Sequence, residues 1–236
     1  MKLIPIAGPW PLCTNTFLLV TAAGHAVAID PAADPAEYKS AAAEHGATIT
    51  HVFLTHGHYD HVGAVRALRA AGAKVCGDAA DALGTQLHPL TPADLDEAWP
   101  ASGELAVDEL RFRIWRTPGH SAGSVVIACE GRLFSGDTLF AGSCGRIDLA
   151  GGDPAAMRRS LSLVANLPLP DSTIVLPGHG EATTLGQERR SNPYLLGGLL
   201  GGWLGGRLFQ NLSMDWLRRG FGLLLLYGGV KALFAL

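Results

Sequence analysis

The sequence predicts a layered α/β domain followed by a hydrophobic C-terminal tail, and three observations lead there. Through roughly the first 190 residues, short apolar runs of strand length alternate with Ala-rich stretches of helix length, the pattern of sheets covered by helices. The chain of 236 residues is 48% hydrophobic and 17% charged, which supplies a large core and is the reverse of the balance that leaves a chain disordered. Residues 195–236 hold only five charged side chains, Arg207, Asp215, Arg218, Arg219 and Lys231. That shift in composition divides the chain into a domain over 1–194 and a tail over 195–236.

The elements follow in order. Residues 16–21 and 25–29 read as strands joined by a tight turn at Ala23-Gly24. Residues 34–45 read as a helix entered through Pro35 and ended by Gly46. Residues 49–54 form a buried strand, and 62–71 a helix stopped by Gly72. Three further strands are expected at 110–115, 124–129 and 132–135. Asp153-Pro154 opens a helix reaching about Asn166, and 173–176 is a last short strand before Pro177.

Charge and cysteine usage exclude several function classes. The net charge is −3 with no basic block, which argues against nucleic acid as a partner. Cys13, Cys76, Cys129 and Cys144 form no C-x-x-C pair, so a disulfide framework or a cysteine zinc site is not expected and a reducing compartment fits. The first twenty residues carry three prolines and no uninterrupted apolar stretch, unlike a secretion signal. The expected location of the catalytic domain is therefore cytoplasmic.

The chemistry is concentrated in Thr55-His56-Gly57-His58-Tyr59-Asp60-His61, which places three histidines and an aspartate within six residues directly after an apolar strand. Functional loops gather at the carboxyl ends of strands in α/β sheets. Imidazole and carboxylate donors suit zinc, iron or manganese. The donors are too dense for one site to use them all: His56 and His58 can hold one ion while Asp60 and His61 hold another. Gly57 is expected to let the backbone turn sharply between the two histidines. Three more candidates each follow a strand and a glycine: His120 in Pro118-Gly119-His120, Asp137 in Ser135-Gly136-Asp137, and His179 in Pro177-Gly178-His179.

T-H-x-H-x-D-H followed by G-H, G-D and G-H resembles the metallo-β-lactamase superfamily over about residues 1–194. Within it, Gly136-Asp137-Thr138-Leu139-Phe140 and Gly145-Arg146 are similar to the glyoxalase II group. Residues 142–153, 177–184 and 188–194 are similar to that group's short bacterial branch, which lacks the helical C-terminal domain of the longer enzymes. The resemblance implies a four-layer αββα sandwich with the site at one edge. It implies two divalent ions, zinc first and iron or manganese as alternatives. His56, His58 and His120 would hold one ion, Asp60, His61 and His179 the other, and Asp137 would bridge them.

The chemistry implied is hydrolysis of a small-molecule thioester, foremost a glutathione thioester such as S-lactoylglutathione. Two cations sharing a water lower its pKa from about 16 toward about 7, which supplies a bridging hydroxide at neutral pH. Asp60 would bind metal and orient the hydroxide, and so should be ionised. Arg146 is a candidate contact for an anionic substrate. Asp30, in Ile29-Asp30-Pro31, is a candidate brace behind the ligands. His25, His45, His51 and His88 read as structural or surface residues, and Cys144 as packing.

In the tail, Gly197-Gly198, Gly201-Gly202 and Gly205-Gly206 recur at a spacing of four, placing small residues on one helical face. Each Gly costs a helix in water about 1 kcal/mol against Ala, whereas small faces let helices pack closely in lipid. The tail is expected to form a transmembrane or membrane-surface helical hairpin, or an arm buried against a partner helix. Residues 201–209 and 217–226 are similar to the last hairpin of TauE/SafE-type sulfite exporters. Three other functions compete with the hydrolase. One is a persulfide dioxygenase of the same superfamily holding one iron, which the chain resembles at Gly145-Arg146-Ile147-Asp148. The others are a non-enzymatic membrane-associated scaffold and a β-lactamase proper.

Overall fold

The structure, a computed structural model, describes residues 1–196. The expectations for the tail, including the exporter-like segments and the membrane hairpin, lie outside the described residues from position 197 onward. Among the described residues no helix is long and apolar enough to cross a membrane.

Two six-stranded sheets form the middle of the domain. In the first, β1 (Lys2–Ala7), β2 (Asn15–Val20), β3 (His25–Ile29), β4 (Thr48–Phe53), β5 (Lys74–Gly77) and β6 (Glu97–Ala98) lie side by side in chain order. The first three are antiparallel and β3 to β6 are parallel. The second sheet runs in the spatial order β12 (Thr183–Thr184), β11 (Ile174–Pro177), β10 (Arg132–Gly136), β9 (Val125–Cys129), β8 (Leu110–Arg116) and β7 (Glu104–Val107). Helices α1 (Pro35–Glu44) and α2 (Val65–Ala70) cover the first sheet, and α3 (Pro154–Ala165) and α4 (Leu185–Ser191) the second. This is the αββα order of layers that the resemblance implied.

Alternation along the strands explains the layers. Phe17 and Leu19 of β2 point between the sheets, whereas Leu18 and Val20 point under α1 and α2. Val125, Ile127 and Cys129 of β9 point inward, whereas Val126 and Ala128 meet α3. Strands buried on both faces read as continuous apolar runs, which is why these were visible in the sequence. Between the sheets, the ring of Phe53 meets Trp99 at 5.3 Å and Phe112 at 4.8 Å, both edge to face.

The helices start where the caps dictate. Asp34 accepts from the backbone N–H of Ala36 ahead of α1, and Asp153 accepts from those of Ala155 and Ala156 ahead of α3. The helix expected over 62–71 is shorter, running Val65–Ala70, because its N-cap position is Ala64, whose side chain cannot cap. β1 was not expected, since Pro5 lies in its middle. The strand tolerates it because β1 is an edge, paired only with β2. Leu195 is fully buried in the cluster beneath α3.

Phe53 packs between the two sheets at the end of β4, three residues before His56, so Phe53→Ala is expected to cost about 3–5 kcal/mol of unfolding free energy. Denaturant titration of the full chain, followed by circular dichroism, measures this.

Candidate metal centre

Each candidate side chain sits just beyond the carboxyl end of a strand. Asp30 follows β3, the loop from His56 to His61 follows β4, His120 follows β8, Asp137 follows β10 and His179 follows β11. Stacking the sheets brings these ends to one edge. Three donor groups close to within 4.8 Å there: His56 with His58 and His120, Asp60 with His61 and His179, and Asp30 with His56 and His61.

The third group is spoken for. Asp30 accepts from the backbone N–H of Thr55 at 2.7 Å through Oδ1, and from the Thr55 hydroxyl at 2.5 Å and His61 Nδ1 at 3.1 Å through Oδ2. Its carboxylate therefore serves as the brace that the sequence suggested. The φ of 47° at Asp30 turns the chain out of β3 in the left-handed region, which Asp tolerates better than most residues.

The outward nitrogens fix the inward ones. His61 Nδ1 donates to Asp30, His120 Nδ1 to the Arg146 carbonyl at 2.7 Å, and His179 Nδ1 to the Leu12 carbonyl at 3.2 Å. Thr55 gives its own proton to Asp30, so its oxygen is left to accept from His56 Nδ1 at 3.2 Å. In all four rings Nδ1 is the donor, which leaves Nε2 facing inward. His58 is the exception, turning Nδ1 to within 2.8 Å of His120 Nε2. Asp137 lies between the two groups. Its Oδ1 is 3.5 Å from His61 Nε2, and its Oδ2 is 3.5 Å from His120 Nε2 and 3.6 Å from His179 Nε2. Asp60 Oδ2 is 3.3 Å from His179 Nε2.

The electrostatics are unbalanced. His56 Nε2, His61 Nε2 and Asp137 Oδ1 are buried without a hydrogen-bond partner. Burial and the neighbouring imidazoles push His56 well below the usual histidine range, and burial with His120 and His88 holds His58 at about 3. Burial also disfavours charge on His61, but Asp137, Asp30 and Asp60 outweigh it and raise the ring to about 9. For Asp60, burial opposes ionisation, yet the hydrogen bond from His179 and the charge on His61 hold it at about 2. The donor set, with inward lone pairs lacking protein partners, fits divalent cations.

A cleft of about 440 Å³ opens over the cluster, walled by Leu12, Leu87, Phe140 and Leu149. Arg146 also lines it, with its guanidinium paired to Asp148 through two contacts of 2.7 Å. α4 holds the wall in place: Glu188 accepts from the backbone N–H of Gly142, and Asn192 donates to the carbonyls of Phe140 and Ser143.

A family model described as the Metallo-beta-lactamase superfamily matches residues 10–77 and 78–179. The chain belongs to the metallo-beta-lactamase superfamily. Among its relatives in the superfamily, a hydroxyacylglutathione hydrolase of Anaeromyxobacter dehalogenans is 41% identical over 171 residues, covering 71% of this chain and 62% of that protein. The hydroxyacylglutathione hydrolase GloC of Haemophilus influenzae is 36% identical over 186 residues, covering 72% of this chain and 87% of that protein. The BLEG-1 B3 metallo-beta-lactamase superposes with a TM-score of 0.72 at 33% identity, covering 82% of this chain and 99% of that one. ETHE1 of Myxococcus xanthus gives 0.70 at 31%, covering 84% and 85%. The TTHA1623 protein in a di-iron-bound form gives 0.66 at 36%, covering 81% and 99%. The superfamily fold and the histidine and aspartate groups together support a dinuclear metal site.

Three residues of this superfamily site were missed in the sequence. Asn15 donates to the carbonyls of Pro177 and Gly180, pinning the turn that carries His179. His88, expected to be a structural or surface residue, is 2% exposed, and its ring lies 4.6 Å from that of His58. Asp81, also buried, follows β5 and bonds to two of the loops. The strand-end rule was the available signal for Asp81, but β5 is four residues long and was not read as a strand. Gly57 has a different role from the one expected. Its φ is not positive, and a Cβ there would lie 2.6 Å from the Asp81 carbonyl oxygen. Gly178 likewise leaves room, since a Cβ would collide with Asp137 Oδ1 and His61 Cε1.

Without metal, protonated His61 contributes stability that is complete below about pH 6.5 and lost as pH rises through about 9. A ligating imidazole must be neutral, so loading the metal-free chain with Zn²⁺ at pH 7.5 is expected to release about one proton or more per chain. Calorimetric titration in buffers of different ionisation enthalpy measures this; no net release would contradict the charge assigned to His61.

Proposed function

We propose that the chain is a dinuclear metallo-hydrolase of small-molecule thioesters, with glutathione thioesters such as S-lactoylglutathione as the first substrates to test. The observation that carries this reading is the pair of three-donor groups joined across Asp137, with unpartnered atoms facing inward. The relatives named hydroxyacylglutathione hydrolase point to the substrate class. In this reading His56, His58 and His120 hold one ion, Asp60, His61 and His179 hold the other, and Asp137 contacts both. Zinc is the first expectation. Iron is compatible with the donors, as the di-iron form of the TTHA1623 protein illustrates, and manganese is also compatible.

When bound, such an ion pair lowers the pKa of a water and polarises an acyl oxygen. The chain supplies the rest. Ionised Asp60 faces the cleft and accepts a hydrogen bond from the attacking water, orienting its lone pair toward the acyl carbon. Leu12, Leu87, Phe140 and Leu149 offer apolar surface against which the substrate would pack. The departing thiolate is a good leaving group and needs no side-chain acid. Arg146, at the rim and paired with Asp148, would meet an anionic group of the substrate by exchanging that partner.

Asp137→Ala should lower the metal content at both groups and abolish hydrolysis, read by elemental analysis and a thioester assay on the same preparation. Retention of two ions with a near-normal rate would sink the assignment.

The second reading, a persulfide dioxygenase with one iron, rests on Gly145-Arg146-Ile147-Asp148. His179 separates the two. If the chain is a two-metal hydrolase, His179→Ala should empty mainly one group and cut thioester hydrolysis by orders of magnitude. A wild-type chain that holds one iron and consumes oxygen with glutathione persulfide is instead the dioxygenase.

A further inference from the structure

We propose that Asp81 is a positioning residue that sets the spacing between the His56–His58 loop and the His120 loop, and so the affinity of that ion position alone. The proposal rests on the functional reading above in taking those three histidines as one ion's ligands.

Asp81 closes the 3-10 turn Ala79–Asp81, which Asp78 caps by accepting from the backbone N–H of Ala80. It is 3% exposed, and its carboxylate receives three hydrogen bonds. Oδ2 accepts from the backbone N–H of Gly57 at 3.0 Å and from the Ser121 hydroxyl at 2.6 Å. Oδ1 accepts from the backbone N–H of Gly123 at 2.8 Å. Gly57 separates His56 from His58, and Ser121 is the residue after His120. A single carboxylate oxygen thus holds the neighbours of ligands from two distant loops.

Both loops press closely on this group. A Cβ at Gly57 would lie 2.7 Å from the Asp81 Cβ, and one at Gly123 would lie 2.8 Å from its Cγ. Neither loop can approach further, and the three hydrogen bonds keep them from separating. The 2.8 Å between His58 Nδ1 and His120 Nε2 is set by this clamp. The other group is held from elsewhere: His61 by Asp30, and His179 by the Leu12 carbonyl and, through its turn, by Asn15.

Charge matters as well as shape. A carboxylate accepts from all three donors, whereas an amide must turn its NH₂ toward at least one N–H or O–H. Asp81→Asn therefore keeps the volume but sets donor against donor. Residues that orient metal ligands in this way typically change affinity by about 10–100-fold when altered.

The test is Zn²⁺ titration into the chelator-stripped full chain in competition with a chromophoric chelator. The wild-type chain is expected to take up two ions. Asp81→Asn is expected to leave one affinity unchanged and weaken the other about 10–100-fold. In a His179→Ala background, where only the three-histidine group remains, the loss should appear in full; in a His120→Ala background it should vanish. Ser121→Ala, which removes one hydroxyl, should weaken the same position by less, and it decides the matter if Asp81→Asn does not fold. Equal weakening of both positions, or of neither, overturns the positioning role. A wild-type chain that binds no Zn²⁺ overturns the functional reading instead.

Discussion

Three buried atoms, His56 Nε2, His61 Nε2 and Asp137 Oδ1, face the site without a hydrogen-bond partner, and the surrounding structure is organised around that deficit. Each buried polar atom left unsatisfied costs about 1–3 kcal/mol, so the fold maintains the arrangement against its own stability. It does so by committing the outward nitrogens. Asp30, Thr55 and the carbonyls of Leu12 and Arg146 accept the Nδ1 protons of His61, His56, His179 and His120. The inward-facing atoms then have only one another, water or a cation to meet. Burial, and after it the neighbouring imidazoles, keeps His56 and His58 unprotonated, so these rings keep lone pairs with which to bind a divalent cation.

The sandwich makes this convergence possible. Neither sheet alone holds either of the two groups left open to a cation: His56, His58, Asp60 and His61 leave β4 of the first sheet, whereas His120, Asp137 and His179 leave β8, β10 and β11 of the second. The sheets are held face to face by Phe17, Phe53, Phe112, Phe134 and the aliphatic residues around them. The Thr55 carbonyl accepts from the Val125 N–H across the sheets, and Asn15 N–H donates to the Gly178 carbonyl. The apolar core therefore positions the ligands, and the polar shell refines them.

The sequence disclosed this site unevenly, for physical reasons. His56, His58, Asp60 and His61 lie within one loop after a fully apolar strand, so both the donors and their placement were visible. His120, Asp137 and His179 could be found because each follows a strand and a glycine. Strands β2, β4 and β9 were legible from their apolar runs. β1 was hidden by Pro5, and β5, β6, β7 and β12 by lengths of two to four residues. The supporting residues were harder. Asp81 and Asn15 are ordinary turn residues by sequence, and only tertiary packing shows that their polar atoms serve the ligand loops. Gly57 was visible as a glycine, but its cause was not, because the clash it avoids is with a residue from another strand end.

Anomalous diffraction from crystals of the Zn²⁺-loaded chain, recorded at the zinc absorption edge, tests the central claim most directly. Two peaks per chain are expected, one among His56, His58 and His120 and one among Asp60, His61 and His179, with Asp137 between them. A chain with no peak at this cluster, or with ions bound only elsewhere, would contradict it.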